Sequence, residues 1–315
     1  MPLVSVVMPV FSGERFLAEA IESILAQTFT DFEFIIVDDG SKDRSAEIAD
    51  AYAEHDNRIR VVKLERNRGE AEARNHGIAF ARGEFIAAMD CDDVSLPQRL
   101  QRQLDVLARN PEIGVLGTGA QAVNEELRPL FNFDLPQQHA LIVFNLFVGS
   151  FFIHPSAMMR RDVLSDVGGY EPSRLTAPDT ELWSRLMWRT RFANLPERLL
   201  LYRWHDAQIH RTRDAVAMKQ SSDVRERLLK RLWGEVPRES LVRFERIQRD
   251  EKLGPLDRRR ARRDLARLLD ALIGADIIDR IDRGLVEAHI ERRLEGTMPR
   301  NWQKFLHWRR HHFGR

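Results

Sequence analysis

The sequence predicts an α/β fold, a mostly parallel sheet flanked by helices, and three observations carry that prediction. Short continuous apolar runs recur along the first hundred residues: Val4–Val10, Phe32–Val37, Ile59–Leu64 and Phe85–Met89. Segments with apolar residues at helical spacing separate them. Each run also closes on polar or turn-forming residues. Unbroken apolar runs belong to strands covered on both faces, and their alternation with helices of this length marks βαβ units.

The elements follow in order. Val4–Val10 closes on Pro9-Val10-Phe11, and Phe16, Leu17, Ile21, Ile24 and Leu25 then repeat at helical spacing. Phe32–Val37 closes on Asp38-Asp39-Gly40-Ser41 and is followed by a polar helix with Ala46, Ala49 and Tyr52 on one side. Ile59–Leu64 is the third strand and Gly69–Ala81 the third helix. Phe85–Met89 closes on Asp90-Cys91-Asp92-Asp93 and leads into a helix over Pro97–Leu107. After about residue 125 the alternation fades. The segment 130–210 mixes aromatic runs, a Gly168-Gly169 turn and a helical stretch, Thr180–Trp188. From 211 onward the pattern is mostly helical. There Leu265, Leu268, Leu269, Leu272 and Ile273, then Ile277, Ile278 and Ile281, form an apolar stripe.

Composition narrows the class. A length of 315 residues suits about two domains. The formal charge of +1 conceals a split: residues 1–210 carry 22 basic and 31 acidic side chains, residues 211–315 carry 27 and 17. An acidic body followed by a basic extension is expected. With one cysteine, Cys91, a disulfide scaffold is excluded. The start, MPLVSVVMPVFSG, reads as a strand and not as a signal peptide. The most apolar window, Ala140 to Ile153, is too short to span a bilayer. A cytoplasmic protein, peripheral on the inner face of the membrane at most, is expected.

In open α/β sheets ligands bind outside the carboxyl ends of the strands. Three such ends carry polar residues here, and they bring five carboxylates, Asp38, Asp39, Asp90, Asp92 and Asp93, to one edge. Carboxylates so placed repel one another and raise each other's pKa unless a cation or a hydrogen-bonding ligand intervenes. Closely spaced aspartates without histidine favour a hard, oxygen-seeking ion, Mg²⁺ or Mn²⁺, shared with substrate phosphates. Asp38 or Asp93 taken singly is equally suited to capping the next turn or helix.

The order VSVVMPVFSG, helix, FEFIIVDDGSKD, then NRGEAEARNHGIAFARGEFIAAMDCDD resembles the nucleotide-sugar domain of family 2 glycosyltransferases, which have the GT-A fold. The likeness is close over roughly residues 3–120, looser over 145–210, and absent from the last hundred. It implies a catalytic domain over 1–210, with 1–120 on the nucleotide-sugar side and 121–210 on the acceptor side. Residues 211–315 are then a basic helical extension.

The resemblance also implies roles. Asp90-Cys91-Asp92 matches the family's Asp-x-Asp motif. Asp90 would contact the ribose or the metal, Asp92 would bind the metal, and Asp93 is a further possible ligand. Pro9 lies at the nucleotide-sugar edge. Phe11 would lie against the base where many relatives have Tyr, or else be a core aromatic. Asp39 would accept a hydrogen bond from the base, usually uracil. Arg74 would sit near the base or diphosphate, its fork of donors suiting phosphate; an outward-facing helix arginine is the plain alternative.

Pro178-Asp179-Thr180-Glu181-Leu182-Trp183 is similar to the family's Glu-Asp-x-Asp-Leu-Trp pattern, although Pro178 replaces the usual Glu. Asp179 would be the general base that deprotonates the acceptor hydroxyl in an inverting transfer. Its spacing equally suits an N-cap for a helix starting at Thr180. His154 resembles a family position near the acceptor or sugar, and His205, in Tyr202-Arg203-Trp204-His205, one that closes over the diphosphate. Either histidine could instead be structural. Gly168-Gly169-Tyr170 looks like the family's Gly-Gly-Tyr loop. The processive signature Gln-x-x-Arg-Trp does not occur.

The expected activity is metal-dependent transfer from a nucleotide-sugar, a UDP-sugar by the resemblance, to a saccharide or lipid-linked saccharide in surface-polysaccharide biosynthesis. A nucleotidyltransferase would begin with a Gly-rich basic loop after the first strand, where this chain has Phe11-Ser12-Gly13-Glu14-Arg15. A degenerate binding or scaffold protein would be expected to lack Asp92 or Asp179. Interleaved aromatic and basic residues over 302–312 suit an anionic membrane surface, whereas the stripe at 265–285 reads as packing. No nucleic-acid motif occurs.

Overall fold

The computed structural model describes residues 1–133, 135–149, 152–173, 178–205 and 214–296, with backbone only for 214–218. The expected alternation is present: β1 (Val4–Val10), α1 (Leu17–Leu25), β2 (Phe32–Asp38), α2 (Ser45–His55), β3 (Ile59–Lys63), α3 (Glu70–Phe80), β4 (Phe85–Ala88), β5 (Val94–Ser95) and α4 (Arg99–Leu107). Then come β6 (Ile113–Val123), β7 (Pro129–Phe133), α5 (His139–Val148), β8 (Met158–Arg160), α6 (Arg161–Asp166), α7 (Pro178–Leu186) and β9 (Arg191–Arg203). The helices α8 (Asp214–Trp233), α9 (Arg238–Gln248), α10 (Pro255–Gly274) and α11 (Arg283–Glu295) close the described chain.

Among the described residues one nine-stranded sheet runs β3-β2-β1-β4-β8-β6-β9-β5, with β7 attached to β6. β3, β2, β1 and β4 are parallel, as βαβ units require, and β6 pairs in parallel with β9. β8 enters antiparallel between β4 and β6, so the sheet is mixed where the sequence alternation fades. Pro9 is tolerated in this central strand because the β1–β4 ladder ends at Val7–Ala88, where no partner needs its missing N–H.

Strand periodicity divides the apolar runs between two cores. Val4, Val6, Met8 and Val10 join Phe34 and Ile36 under α1, α2 and α4. Val7, Ile35, Val37, Ile86 and Ala88 face the other way, toward α3, α5 and the C-terminal helices. All ten residues of α5 are buried, because β9, α7, α9 and α11 surround it. A helix apolar all round must be enclosed in this way.

The C-terminal helices therefore share a core with the sheet. His139 fixes the contact: its Nδ1 accepts the Phe192 N–H at 2.9 Å, so Nε2 carries the proton toward the Ile277 carbonyl, also at 2.9 Å. The stripe seen in the sequence is buried from Leu265 to Ile278. Ile281 departs from it, 91% exposed in the short 3-10 turn Arg280–Asp282. The arginines 259, 260, 262 and 263 face solvent on the opposite side of α10. No described helix is long and apolar enough to cross a membrane. The aromatic-basic segment 302–312 lies outside the described residues.

Candidate active site

The loop from β4 to β5 brings Asp90, Asp92 and Asp93 together, each offering an oxygen within 4.8 Å of the others. β1 and β9 hold it at either end, through Met89 N–H to the Val7 carbonyl and the β5–β9 ladder. Asp93 is 1% exposed. Its Oδ1 accepts the Arg203 N–H at 2.8 Å, and its Oδ2 has no hydrogen-bond partner among the described residues. Burial, reinforced by Asp92 and Asp90, pushes its carboxyl well above the usual range. Asp90 is pushed up to about 6, chiefly by burial, against the pull of Arg74. Asp92 Oδ2 lies 2.9 Å from His205 Nε2, whose ring packs on Phe16.

Buried guanidiniums surround this loop, and of these the resemblance implied Arg74 alone. Arg74 is 1% exposed, so it is not an outward-facing helix arginine. It pairs with Asp90 and, through Nε at 3.0 Å, with Glu70 one turn back on α3. Arg203 donates to the Asp92 carbonyl at 2.8 Å. Arg99 donates to the Ala88 carbonyl at 2.7 Å, and burial lowers its pKa to about 10 while Asp93 and Asp90 act to raise it. Part of the relief expected from a divalent cation thus comes from the protein itself. The donor set still fits such a cation, since hard oxygen atoms converge and one is buried without a partner.

At the first two strand ends the polar residues divide. Phe11 is 49% exposed, which makes it a surface aromatic and not part of the core. Its loop is held by Ser12 N–H to Ser41 Oγ at 3.0 Å and Gly13 N–H to Ser45 Oγ at 2.9 Å. Asp38 accepts the Ser41 N–H at 3.3 Å and so caps the turn. Asp39 accepts Arg68 and Gly69 N–H at 2.7 and 2.9 Å, holding the approach to α3. Burial raises its pKa despite those bonds. Gly40, at φ +71°, lets the turn pass where a Cβ would meet the Arg66 backbone at 2.6 Å.

The second half closes onto the same edge. His154 is buried, its Nε2 2.7 Å from the Tyr170 hydroxyl, and one of its ring nitrogens lies within 4.8 Å of oxygens of Glu70 and Asp90. Asn75, next to Arg74, exchanges two hydrogen bonds with the Tyr170 backbone. Gly169 has φ +71°, and a Cβ there would strike Asn75 Oδ1 at 2.6 Å. Arg185 fastens this loop to α7, donating to the Val167 and Gly169 carbonyls at 2.5 and 2.7 Å and to Glu181.

Asp179 is the second residue of α7, behind Pro178, whose missing N–H suits the first helical position. It is therefore inside the first turn and not the N-cap of a helix starting at Thr180. Burial pushes the Tyr170 hydroxyl up, against the pull of Arg74 and with smaller contributions from Glu70, Asp179 and Asp90.

Thus Arg74, Asp90, Asp92, Asp93, His154 and His205 form one continuous contact network with Tyr170, Glu70 and Arg203. Phe11 and Asp39 sit at neighbouring strand ends, on other contacts. Sequence reasoning missed Glu70, although its spacing to Arg74 is that of a helical ion pair. Asn75 and Arg99 carried no such signal.

The profile of glycosyl transferase family 2 matches residues 5–168. The chain belongs to that family. This glycosyltransferase is 36% identical over 207 residues to an uncharacterized glycosyltransferase of Methanocaldococcus jannaschii, covering 64% of this chain and 71% of that protein. It is 33% identical over 235 residues to the O-antigen biosynthesis glycosyltransferase WbnJ of Escherichia coli, covering 73% and 90%. Among solved structures, S. aureus TarS 1–349 in complex with UDP-GlcNAc aligns at TM-score 0.59 and 21% identity, over 87% of this chain and 73% of that one. Mannosyltransferase PcManGT from Pyrobaculum calidifontis, in complex with GDP-Man and Mn²⁺, aligns at 0.58 and 19%, over 91% and 79%. At these identities the two structures establish the shared GT-A fold of the transferase.

Proposed function

We propose that this glycosyltransferase moves a sugar from a nucleoside-diphosphate donor, a UDP-sugar, to a hydroxyl of a saccharide or lipid-linked saccharide with inversion at the anomeric carbon. One observation carries the reading: Asp90, Asp92 and Asp93 bring oxygens within 4.8 Å of one another at the carboxyl edge of the parallel strands, and the loop that Arg185 of α7 fastens closes onto that edge through the Tyr170–His154 contact. A donor bound there would have its diphosphate toward the aspartate loop and its anomeric carbon toward α7. Two structural neighbours hold UDP-GlcNAc and GDP-Man, which supports the donor class, and one relative is named for O-antigen biosynthesis, which supports a saccharide acceptor.

In this reading Phe11 lies against the base, Pro9 borders it and Asp39 orders the loop around it. Asp92 and Asp90, with Asp93 behind them, would hold Mn²⁺ or Mg²⁺. When bound, that cation offsets charge on the departing diphosphate. Asp179 takes the acceptor hydroxyl proton as the oxygen attacks the anomeric carbon. The new C–O bond forms while the bond to the diphosphate breaks, and the diphosphate leaves with that electron pair. His205 orients Asp92, and His154 supports Tyr170 beside the sugar. Residues 1–210 form the catalytic unit and 211–315 a helical extension, whose last fifteen residues contact an anionic membrane surface.

A panel of UDP-, GDP- and TDP-sugars, scored by nucleoside diphosphate release with Mn²⁺ or with EDTA, tests this. Mn²⁺-dependent release from one UDP-sugar is expected. No release or binding with any donor would refute the reading.

A further inference from the structure

We propose that Arg203 is a positioning residue that fixes the Asp92 ligand loop from behind; this rests on the donor reading above. Arg203 ends β9 and is 1% exposed. Its Nε donates to the Asp92 carbonyl at 2.8 Å, one Nη to the Glu125 carbonyl beyond β6, and the other Nη to the Glu19 carboxylate on α1. Its backbone N–H donates to Asp93 Oδ1 at 2.8 Å. The guanidinium lies 4.5 Å from the centre of the Phe16 ring.

One side chain thereby joins four segments: β9, the aspartate loop, α1 and the β6–β7 turn. The direction of its grip matters. It holds Asp92 by the backbone carbonyl and so does not occupy the carboxylate. Two residues on, His205 meets that carboxylate at 2.9 Å. The end of β9 therefore contacts Asp92 from both its backbone and its side chain, and Asp93 as well.

Only arginine suits the place. Its planar fork supplies five donors in fixed directions, whereas a lysine ammonium supplies a point charge on a flexible stem. A buried cation is costly unless its donors are met, and apolar filler could have occupied the same volume. The groups met here are the ones that set the loop's position. Losing a contact that orients a metal ligand typically changes metal affinity by about 10–100-fold. In the donor reading the nucleoside lies by Phe11 and Asp39, residues other than those Arg203 contacts above.

The test separates these two parts of donor binding. Mn²⁺ affinity in the presence of UDP is read by electron paramagnetic resonance, and uridine affinity without metal by titration calorimetry. For Arg203→Met and Arg203→Lys, Mn²⁺ affinity is expected to fall about tenfold or more while uridine affinity changes less than twofold. Glu19→Gln, at the more exposed end of the contact, is expected to fall less and to keep its melting temperature. It decides the matter if the arginine variants do not fold. Unchanged Mn²⁺ affinity across the folded variants overturns the proposal. So does a parallel loss of metal and uridine binding, which would mean a general structural role. Wild-type protein that binds uridine but no Mn²⁺ with UDP sinks the metal-dependent reading itself, and this inference with it.

Discussion

Asn75 grips the backbone of Tyr170 on both sides: its Oδ1 accepts the Tyr170 N–H at 2.8 Å and its Nδ2 donates to the Tyr170 carbonyl at 2.7 Å. The residue before Asn75 is the arginine paired with Asp90, and the Tyr170 hydroxyl meets His154. One helical turn of α3 thus registers the two halves of the site against each other. Asn75→Ala leaves two backbone groups without partners, a loss of about 1–3 kcal/mol each where water cannot replace them. Urea unfolding should show a lower midpoint, and kcat should fall with little change in donor affinity. Wild-type kcat would remove Asn75 from this role.

Asp179→Asn keeps the shape of the first turn of α7 and removes a proton acceptor. Transfer should slow by about 10²–10⁴-fold. Donor affinity measured calorimetrically should stay within a factor of two or three. Transfer at the wild-type rate would show that another group takes the proton.

Asp92→Asn reduces the charge of the acidic loop and alters its contact with His205. Mn²⁺-dependent nucleoside diphosphate release should drop by about 10²-fold or more. Release that stays metal-stimulated at the wild-type level would exclude Asp92 as a ligand.

Phe11 is half exposed and contributes little to either core, so Phe11→Ala should leave the melting temperature nearly unchanged. Losing a stacking surface for the base should raise the donor KM about tenfold. A lower melting temperature with an unchanged KM would assign Phe11 to folding.

Two buried histidines join the C-terminal helices to α5: His139 reaches Ile277, and His289 lies 3.3 Å from Asn145 Oδ1. Burial lowers both pKa values from 6.5 to about 4. Because the unfolded chain binds those protons first, stability is complete above pH 6.5 and is lost as pH falls toward 4. The loss at pH 5 is on the order of 2 kcal/mol per histidine. Denaturant unfolding at pH 7.5 and pH 5 measures it, and a flat profile would contradict the burial of these rings as neutral groups.

The sequence determined the parallel half of the sheet nearly to the residue, because crossover helices bury both faces of those strands and leave unbroken apolar runs. It also determined the acidic loop, since Asp90-Cys91-Asp92-Asp93 is local and its place at a strand end follows from the alternation. It did not reveal that β8, antiparallel between β4 and β6, turns the sheet mixed, or that α5 is enclosed by the C-terminal helices. Those depend on pairings more than forty residues apart, which leave no period in the chain. The arginines show the difference most directly. In the sequence Arg99 and Arg203 are two among many cations, only Arg74 is singled out by the resemblance, and a metal is the relief expected for the aspartates. In the fold all three are buried around one loop, because a guanidinium can leave water where carboxylates and carbonyls meet its donors. Local pattern named the acids; only tertiary packing decided which cations answer them.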